Sequence, residues 1–373
     1  MPATKERRFV SHGGDIWGFS RKNNIPVDEV LEFSGPINFM GPPPKAVEAV
    51  KEHARLIKFY PDPNPVEFKK ILAAYVGQGI EAENVLLGNG SIELIYMITE
   101  LFSQNFDAVI PVPSFSEYEK ATLRSDGKII FVQLPTDFSL ENAKIKEAVS
   151  KDTKIMCLCN PHSPSGKLYK KQEIMDLVEF CHKKGIIFSI DENYIEFAQN
   201  GEQHTVAGMV REYDNLFVIR SVTKFYGMAG LRLGYALAAN SLIEKLETIR
   251  QPWSINGLAC QVTKAALNDK EFITTTKETI NKNKEHLIND LTQIKGLQVY
   301  PSTTNFLLIK LTNQTLTSTT LKEQLVKEHI LIRDCSTFMG MDNKHIRVTV
   351  RSTKDNKLLT EKIKQIMNKT NSP

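Results

Sequence analysis

Short apolar runs punctuate the first two thirds of the chain, and helix-period stretches separate them. Asn84–Leu87, Ala108–Val112, Ile129–Leu134, Lys154–Cys159, Ile186–Ile190 and Leu216–Ile219 read as strands. Ile174, Leu177, Val178 and Cys181 repeat at the i, i+3, i+4, i+7 spacing of one helix face. That spacing predicts a helix near Lys170–Lys183, which Gly185 ends. Helices are also expected over Pro65–Val76 and Ile92–Phe102, after Pro113-Ser114-Phe115, and from Ser139. Strands apolar along their whole length, joined by helical crossovers, predict an α/β fold with a mostly parallel sheet covered on both faces. In such sheets ligand groups gather at the carboxyl ends of the strands.

After Lys224 the pattern changes. Ala236 to about Ile294 reads as mostly helical, with a long polar helix from Glu271. Then come strands at Leu297–Tyr300 and Asn305–Ile309, a helix at Thr320–His329, strands at Leu331–Arg333 and Ile346–Arg351, and a terminal helix. This predicts three parts: an N-terminal arm and first helix over 1–59, a large domain over 60–265, and a smaller α+β domain over 266–373. The last dozen residues are polar and are expected to fray.

Composition narrows the class. With 373 residues and 41% hydrophobic content, the chain can build a large core. Its net charge is only +4 and its lysines are scattered, so nucleic acid is not implied. No window approaches a membrane span. Met1–Val10 is polar and charged, without the apolar run of a signal peptide. The five cysteines form no C-x-x-C pair; Cys157 and Cys159 share one face of a strand and read as buried thiols. A reducing cytoplasmic setting fits that usage, and no metal site is expected.

The chemistry gathers around Arg220-Ser221-Val222-Thr223-Lys224-Phe225-Tyr226-Gly227, just after the strand Leu216–Ile219. Ser221 and Thr223 precede a lysine, and Arg232 follows. Hydroxyls, a guanidinium and nearby glycines suit a phosphate monoester, and a lysine beside it can hold an aldehyde as a Schiff base. Pyridoxal phosphate (PLP) carries both groups. Gly88-Asn89-Gly90-Ser91 turns from a strand into a helix, whose first N–H groups suit an anion; the same glycines also suit a plain tight turn. Asp191, at a strand's carboxyl end, could keep a pyridine nitrogen protonated, or cap a helix. Asn160 and Tyr194 could hydrogen-bond a phenolate oxygen, although Asn160-Pro161 also reads as a turn. Phe115 could lie on a ring face, or simply fill the core. In the C-terminal part, His345, Arg347, Thr349 and Arg351 alternate on one strand face, and Arg333 ends the preceding strand. They suggest a substrate with two anionic groups, or else a solvated cationic edge strand.

With these residues assembled, the chain resembles the fold-type I PLP enzymes of the aminotransferase class I and II group over nearly its whole length. Within that group it is similar to the L-threonine-O-3-phosphate decarboxylases of cobalamin biosynthesis and their cousins, the histidinol-phosphate aminotransferases. The likeness is carried by His12-Gly13-Gly14, Tyr60-Pro61-Asp62, Gly88-Asn89-Gly90, Asn160-Pro161, Arg220–Tyr226, Gln251-Pro252-Trp253-Ser254, Ile330–Arg333 and Arg347–Ser352. The resemblance implies Lys224 as the lysine linked to the cofactor, Asp191 at its ring nitrogen, and Asn160 and Tyr194 at its phenolate oxygen. The residues expected around its phosphate remain Gly90, Ser91, Ser221, Thr223 and Arg232, with Phe115 on its ring. Arg347 and Asn160 would hold a substrate carboxylate. Arg333 and His12 would lie near a substrate phosphate, with Asn38 and Arg351 as further substrate contacts. Tyr60 would reach the cofactor of a partner subunit, so a homodimer with shared sites is expected.

The implied reaction is decarboxylation of threonine phosphate or serine phosphate, with an aminotransferase as the alternative. A PLP-sensing regulator on this fold carries a DNA-binding domain before it, and here only a short arm precedes Tyr60. The family stretch Ser-Ala-Asn-Ile-Asn-Pro reads Ser34-Gly35-Pro36-Ile37-Asn38-Phe39 here, Ala229 replaces a common proline, and His162-Ser163 and Asn193 also depart. Pro36 removes an amide and a backbone donor.

Overall fold

The computed structural model describes residues 12–371, so the polar stretch Met1–Val10 lies outside it. In chain order the strands are β1 (Leu31–Glu32), β2 (Val85–Gly88), β3 (Asp107–Val112), β4 (Lys128–Gln133), β5 (Thr153–Cys159), β6 (Ile187–Asp191), β7 (Leu216–Ser221), β8 (Gly234–Leu237), β9 (Leu297–Val299), β10 (Phe306–Leu311), β11 (Ile330–Leu331), β12 (Arg333–Asp334) and β13 (His345–Thr349). The described residues group into two compact units. One holds residues 37–282 and 301–305; the other holds the residues up to Pro36, 283–300, and those from Phe306 onward.

The larger unit is built on a seven-stranded sheet in the order β2-β8-β7-β6-β5-β3-β4. The strands from β7 to β4 pair in parallel, whereas β8 runs antiparallel to both β2 and β7. Helices at Ser91–Ser103 and Ser116–Arg124 pack Leu94, Ile98 and Ala121 against Ile110, Ile155, Phe217 and Ala236 of the sheet. The helix Lys171–Lys184 buries Ile174, Leu177, Val178 and Cys181, and Gly185 caps its end. Two expectations need correcting. Gly234–Leu237 is a buried strand where helix is expected from Ala236 onward. A short run that is apolar on every side carries no period to separate a strand from a buried helix. The segment from Ser139 is helical only over Asn142–Glu147.

The smaller unit holds an antiparallel sheet in the order β12-β13-β10-β9 and a parallel pair, β1-β11. The expected strand Leu331–Arg333 is split: Leu331 pairs with Glu32, and Arg333 pairs with Arg347. Its partner β1 comes from a distant part of the chain, which local patterning cannot reveal. A solvated cationic edge is also ruled out. β13 lies between β12 and β10, and all five of its residues are buried. The C-terminal stretch forms the helix Thr353–Asn371. Leu359, Ile363, Ile366 and Met367 seat it in a core with Leu307, Ile346 and Val348. Each such buried side chain stabilises by roughly 1.5–3 kcal/mol, more than the cost of ordering a polar helix end. Among the described residues no helix is long and apolar enough to cross a membrane.

Candidate active site

Sheet register assembles the candidate groups of the larger unit. Gly88 pairs with Gly234, and Gly234 pairs with Ser221. Two residues before Ser221, Ile219 pairs with Asp191, and Asp191 pairs with Cys159, the residue before Asn160. One row across five strands thus carries the Gly90–Ser91 turn, Ser221, Asp191 and Asn160 to the same end of the sheet. Lys224 lies just past the end of β7.

The Lys224 loop is fixed on both sides. Before it, the Arg220 guanidinium donates to Glu192 Oε2 at 2.8 Å and to Thr205 Oγ1 at 2.7 Å, all fully or nearly buried. After it, the Phe225 and Tyr226 rings are buried, and Phe225 packs at 5.1 Å from Phe197. Asn38 clamps the backbone: its N–H donates to Lys224 O, and its amide donates to Phe225 O, each at 2.9 Å. The Asn38 amide also reaches Thr276 Oγ1, and its oxygen accepts from Met40 N–H. Asn38 therefore holds the loop with the side chain that the resemblance assigns to substrate. Lys224 itself is half-buried.

The anion cup is compact. Gly90 precedes the helix Ser91–Ser103 at φ +75°, and a Cβ there would collide with the Arg232 guanidinium. Glycine is required for backbone and guanidinium to meet this closely. Arg232 is exposed and holds a left-handed φ of +58°, a conformation costly for a side-chain-bearing residue and one that concentrates at ligand sites. Ser91 Oγ accepts from the Asn193 amide at 3.0 Å. Free helix N–H groups, a hydroxyl and a guanidinium together form an anion site. Arg232→Ala removes the guanidinium charge. A charge-assisted hydrogen bond contributes about 1.5–3 kcal/mol, so the variant is expected to bind pyridoxal phosphate roughly 10- to 100-fold more weakly in a titration of the apoprotein.

Asp191 is buried. One oxygen accepts from Asn193 N–H and the other from the Tyr118 hydroxyl, both at 2.9 Å. Burial pushes its carboxyl above the usual range, while these donors and the Lys224 charge pull it back. Phe115 stands edge-on to Tyr118, with ring centres 5.7 Å apart. Sequence reading missed Tyr118, although it lies one helical turn after Phe115. It also missed the Glu192–Arg220 pair and the role of Asn193. Asn160 is fully buried; its oxygen accepts from Tyr169 N–H at 2.9 Å, while its Nδ2 finds no acceptor among the described residues. A buried donor without a partner is costly unless a ligand supplies one. Tyr194 is also buried nearby in sequence, just after β6. Anion cup, buried carboxylate, unpartnered amide and lysine match the phosphate, pyridine nitrogen, phenolate oxygen and aldehyde of pyridoxal phosphate.

The smaller unit has its own cationic cluster. Arg333 and Arg347 are register partners, both nearly buried, and their guanidinium groups lie 4.9 and 6.0 Å from the Phe338 ring. Burial first, and then the Arg347 charge, lowers the Arg333 pKa to about 10. Arg333 and His12 line one cavity of about 580 Å³ with Lys22, Ser34 and Asn23. His12-Gly13-Gly14 earns its glycines here: a Cβ on Gly13 would strike Ser34 O. Arg351 bonds instead to Asp355 Oδ2 and Glu32 O, each at 3.1 Å. Tyr60, in the larger unit, is 80% exposed and lies tilted against Trp253 with ring centres 4.7 Å apart, close in sequence to exposed Ile57 and Phe59.

Comparison with known proteins gives concordant results. The family described as aminotransferase class I and II matches residues 32–366. A protein of Caldanaerobacter subterraneus subsp. tengcongensis named "Putative threonine-phosphate decarboxylase" is 35% identical over 98% of this chain and 96% of its own. Among solved structures, the histidinol-phosphate aminotransferase of Clostridium acetobutylicum superposes with a TM-score of 0.84 at 27% identity, covering 90% of this chain and 99% of its own. The L-threonine-O-3-phosphate decarboxylase of Porphyromonas gingivalis superposes with a TM-score of 0.80 at 26% identity, with the same coverage. The fold is that of the fold-type I PLP enzymes.

Proposed function

The chain belongs to the aminotransferase class I and II family and depends on pyridoxal phosphate, and from that premise we propose that it decarboxylates an O-phospho amino acid. Threonine phosphate would give 1-aminopropan-2-yl phosphate, the linker unit of a cobamide, and serine phosphate would give ethanolamine phosphate. The observation that carries this reading is the paired, buried guanidinium groups of Arg333 and Arg347. Two adjacent buried cations repel one another, and a substrate bearing both a carboxylate and a phosphate relieves that repulsion. The 35% identical relative bears a name of the same type.

In this proposal Gly90, Ser91, Ser221, Thr223 and Arg232 bind the cofactor phosphate, and Phe115 lies on its ring. Asp191 holds a proton on the pyridine nitrogen, and the Asn160 amide and Tyr194 hydroxyl donate to the phenolate oxygen. When bound, the cofactor supplies a sink for the electron pair left at Cα as a bond there breaks. Lys224 would anchor the cofactor through its amine, the one side-chain group here that can hold an aldehyde. Arg347 and Arg333 would orient the substrate through its two anionic groups, and with its carboxylate so placed the products would be carbon dioxide and the amine, a proton replacing the carboxylate on Cα. Small misplacements at this step have large rate consequences. Tyr60 is proposed to serve the site of a second copy in a homodimer.

The test is product analysis without any oxo acid, using L-threonine phosphate and L-serine phosphate separately. Catalytic release of carbon dioxide with the phosphorylated amine is expected. No carbon dioxide, with turnover that requires 2-oxoglutarate, would overturn this reading in favour of an aminotransferase.

A further inference from the structure

His162 stands where the chain departs from its family's wording, and none of the steps above uses it. Its ring is buried between Phe138, at 5.8 Å, and Tyr169, at 5.9 Å. Nε2 lies 2.8 Å from Pro113 O, and Nδ1 lies 2.7 Å from Ser165 Oγ. A carbonyl oxygen only accepts, so Nε2 carries the proton. Nδ1 then accepts from the Ser165 hydroxyl, whose oxygen in turn accepts from Lys167 N–H at 3.2 Å. Burial lowers the imidazole pKa to about 4, so the ring keeps this single tautomer at neutral pH.

The two ends of this bridge belong to different loops. Pro113 directly follows β3, two residues before Phe115. His162 sits two residues after Asn160, in the loop that follows β5. These strands are neighbours in the sheet. Tyr169, whose ring flanks His162, is also the residue whose N–H holds the Asn160 side chain. Backbone bonds from His162 N to Lys167 O, at 2.7 Å, and from Gly166 N to His162 O, at 2.6 Å, make the second loop one rigid piece. We infer that His162 is a positioning residue of the cofactor site, tying the Phe115 loop to the Asn160 loop through one imidazole in a fixed tautomer. The ring contact and the amide donor are thereby held at one separation. The inference rests on the cofactor and not on which bond at Cα breaks.

The test compares His162→Gln with His162→Asn in the full chain. A glutamine amide nitrogen reaches the place of Nε2 and can donate to Pro113 O. An asparagine amide stops at the place of Nδ1 and cannot. Titrating each apoprotein with pyridoxal phosphate, His162→Asn is expected to bind about tenfold more weakly, as for loss of one buried hydrogen bond. The pH midpoint and wavelength of the bound cofactor's visible band should shift with it. His162→Gln is expected to keep affinity within about twofold and to keep the band.

A merely space-filling ring would not separate the two variants. Equal losses in both, or parental affinity and band in His162→Asn, would overturn the inference. Should His162→Asn not accumulate folded, Ser165→Ala, which removes the hydroxyl that orients the ring through Nδ1 and leaves the Nε2–H bond to Pro113 O as the ring's one tether, decides. An altered band with weaker binding supports the tie, and an unchanged one overturns it. No substrate is added, so the outcome does not depend on the reaction proposed above.

Discussion

Lys224→Ala is expected to abolish the visible absorbance of the bound cofactor and to lower turnover at least about 100-fold. Lysine is needed here as an amine that can form and exchange a covalent link, which no other side chain at this position replaces. The surroundings are built to present it. The Arg220–Glu192 pair before it, the buried Phe225 and Tyr226 after it, and the Asn38 bonds to Lys224 O and Phe225 O leave the loop one conformation. All of these survive the substitution, so thermal stability should change little while absorbance is lost. A Lys224→Ala protein with full turnover and an intact visible band would disprove the assignment.

For Asp191→Asn, activity is expected to fall roughly 100- to 1000-fold, the range seen when one charge-stabilising group leaves a preorganised site. The amide keeps the shape and can still accept from Asn193 N–H or the Tyr118 hydroxyl, but it cannot hold a proton on a pyridine nitrogen. The protein should therefore still bind pyridoxal phosphate and still show a visible band, at an altered wavelength. Asp191→Glu keeps the charge but carries it one methylene farther from the backbone, and is expected to retain more activity than the amide. Stopped-flow absorbance with kcat and KM separates the two effects, since loss of the charge lowers kcat and leaves KM nearly unchanged. If Asp191→Asn loses activity only through weaker cofactor binding, restored by excess cofactor, the electrostatic role fails.

How much of this was legible beforehand differs by kind of information. Apolar runs and helical spacing were enough to place the strands from Asn84 to Ile219 and the crossover helix near Lys170–Lys183, because backbone period is a local property. They also put Asn160, Asp191 and the Gly88–Ser91 turn at strand ends. Residue chemistry alone singled out Lys224, Ser221, Thr223 and Arg232. What the chain could not show locally was who pairs with whom. The buried strand β8 looked helical because its partners, β2 and β7, are far away in sequence. Arg220 looked like one more cation until Glu192 and Thr205 enclosed it. Asn38, with two donors and one acceptor, could face a ligand or a backbone; only the packed loop made it a clamp. Tyr118 and His162 gain their meaning from partners 73 and 49 residues away, Asp191 and Pro113. Sequence by itself thus determined most of the elements and the reactive groups. Tertiary structure alone decided β8's direction, the interior place of β13 and the buried bonds that orient the site, because hydrogen-bond partners across a sheet are fixed by packing and not by local period.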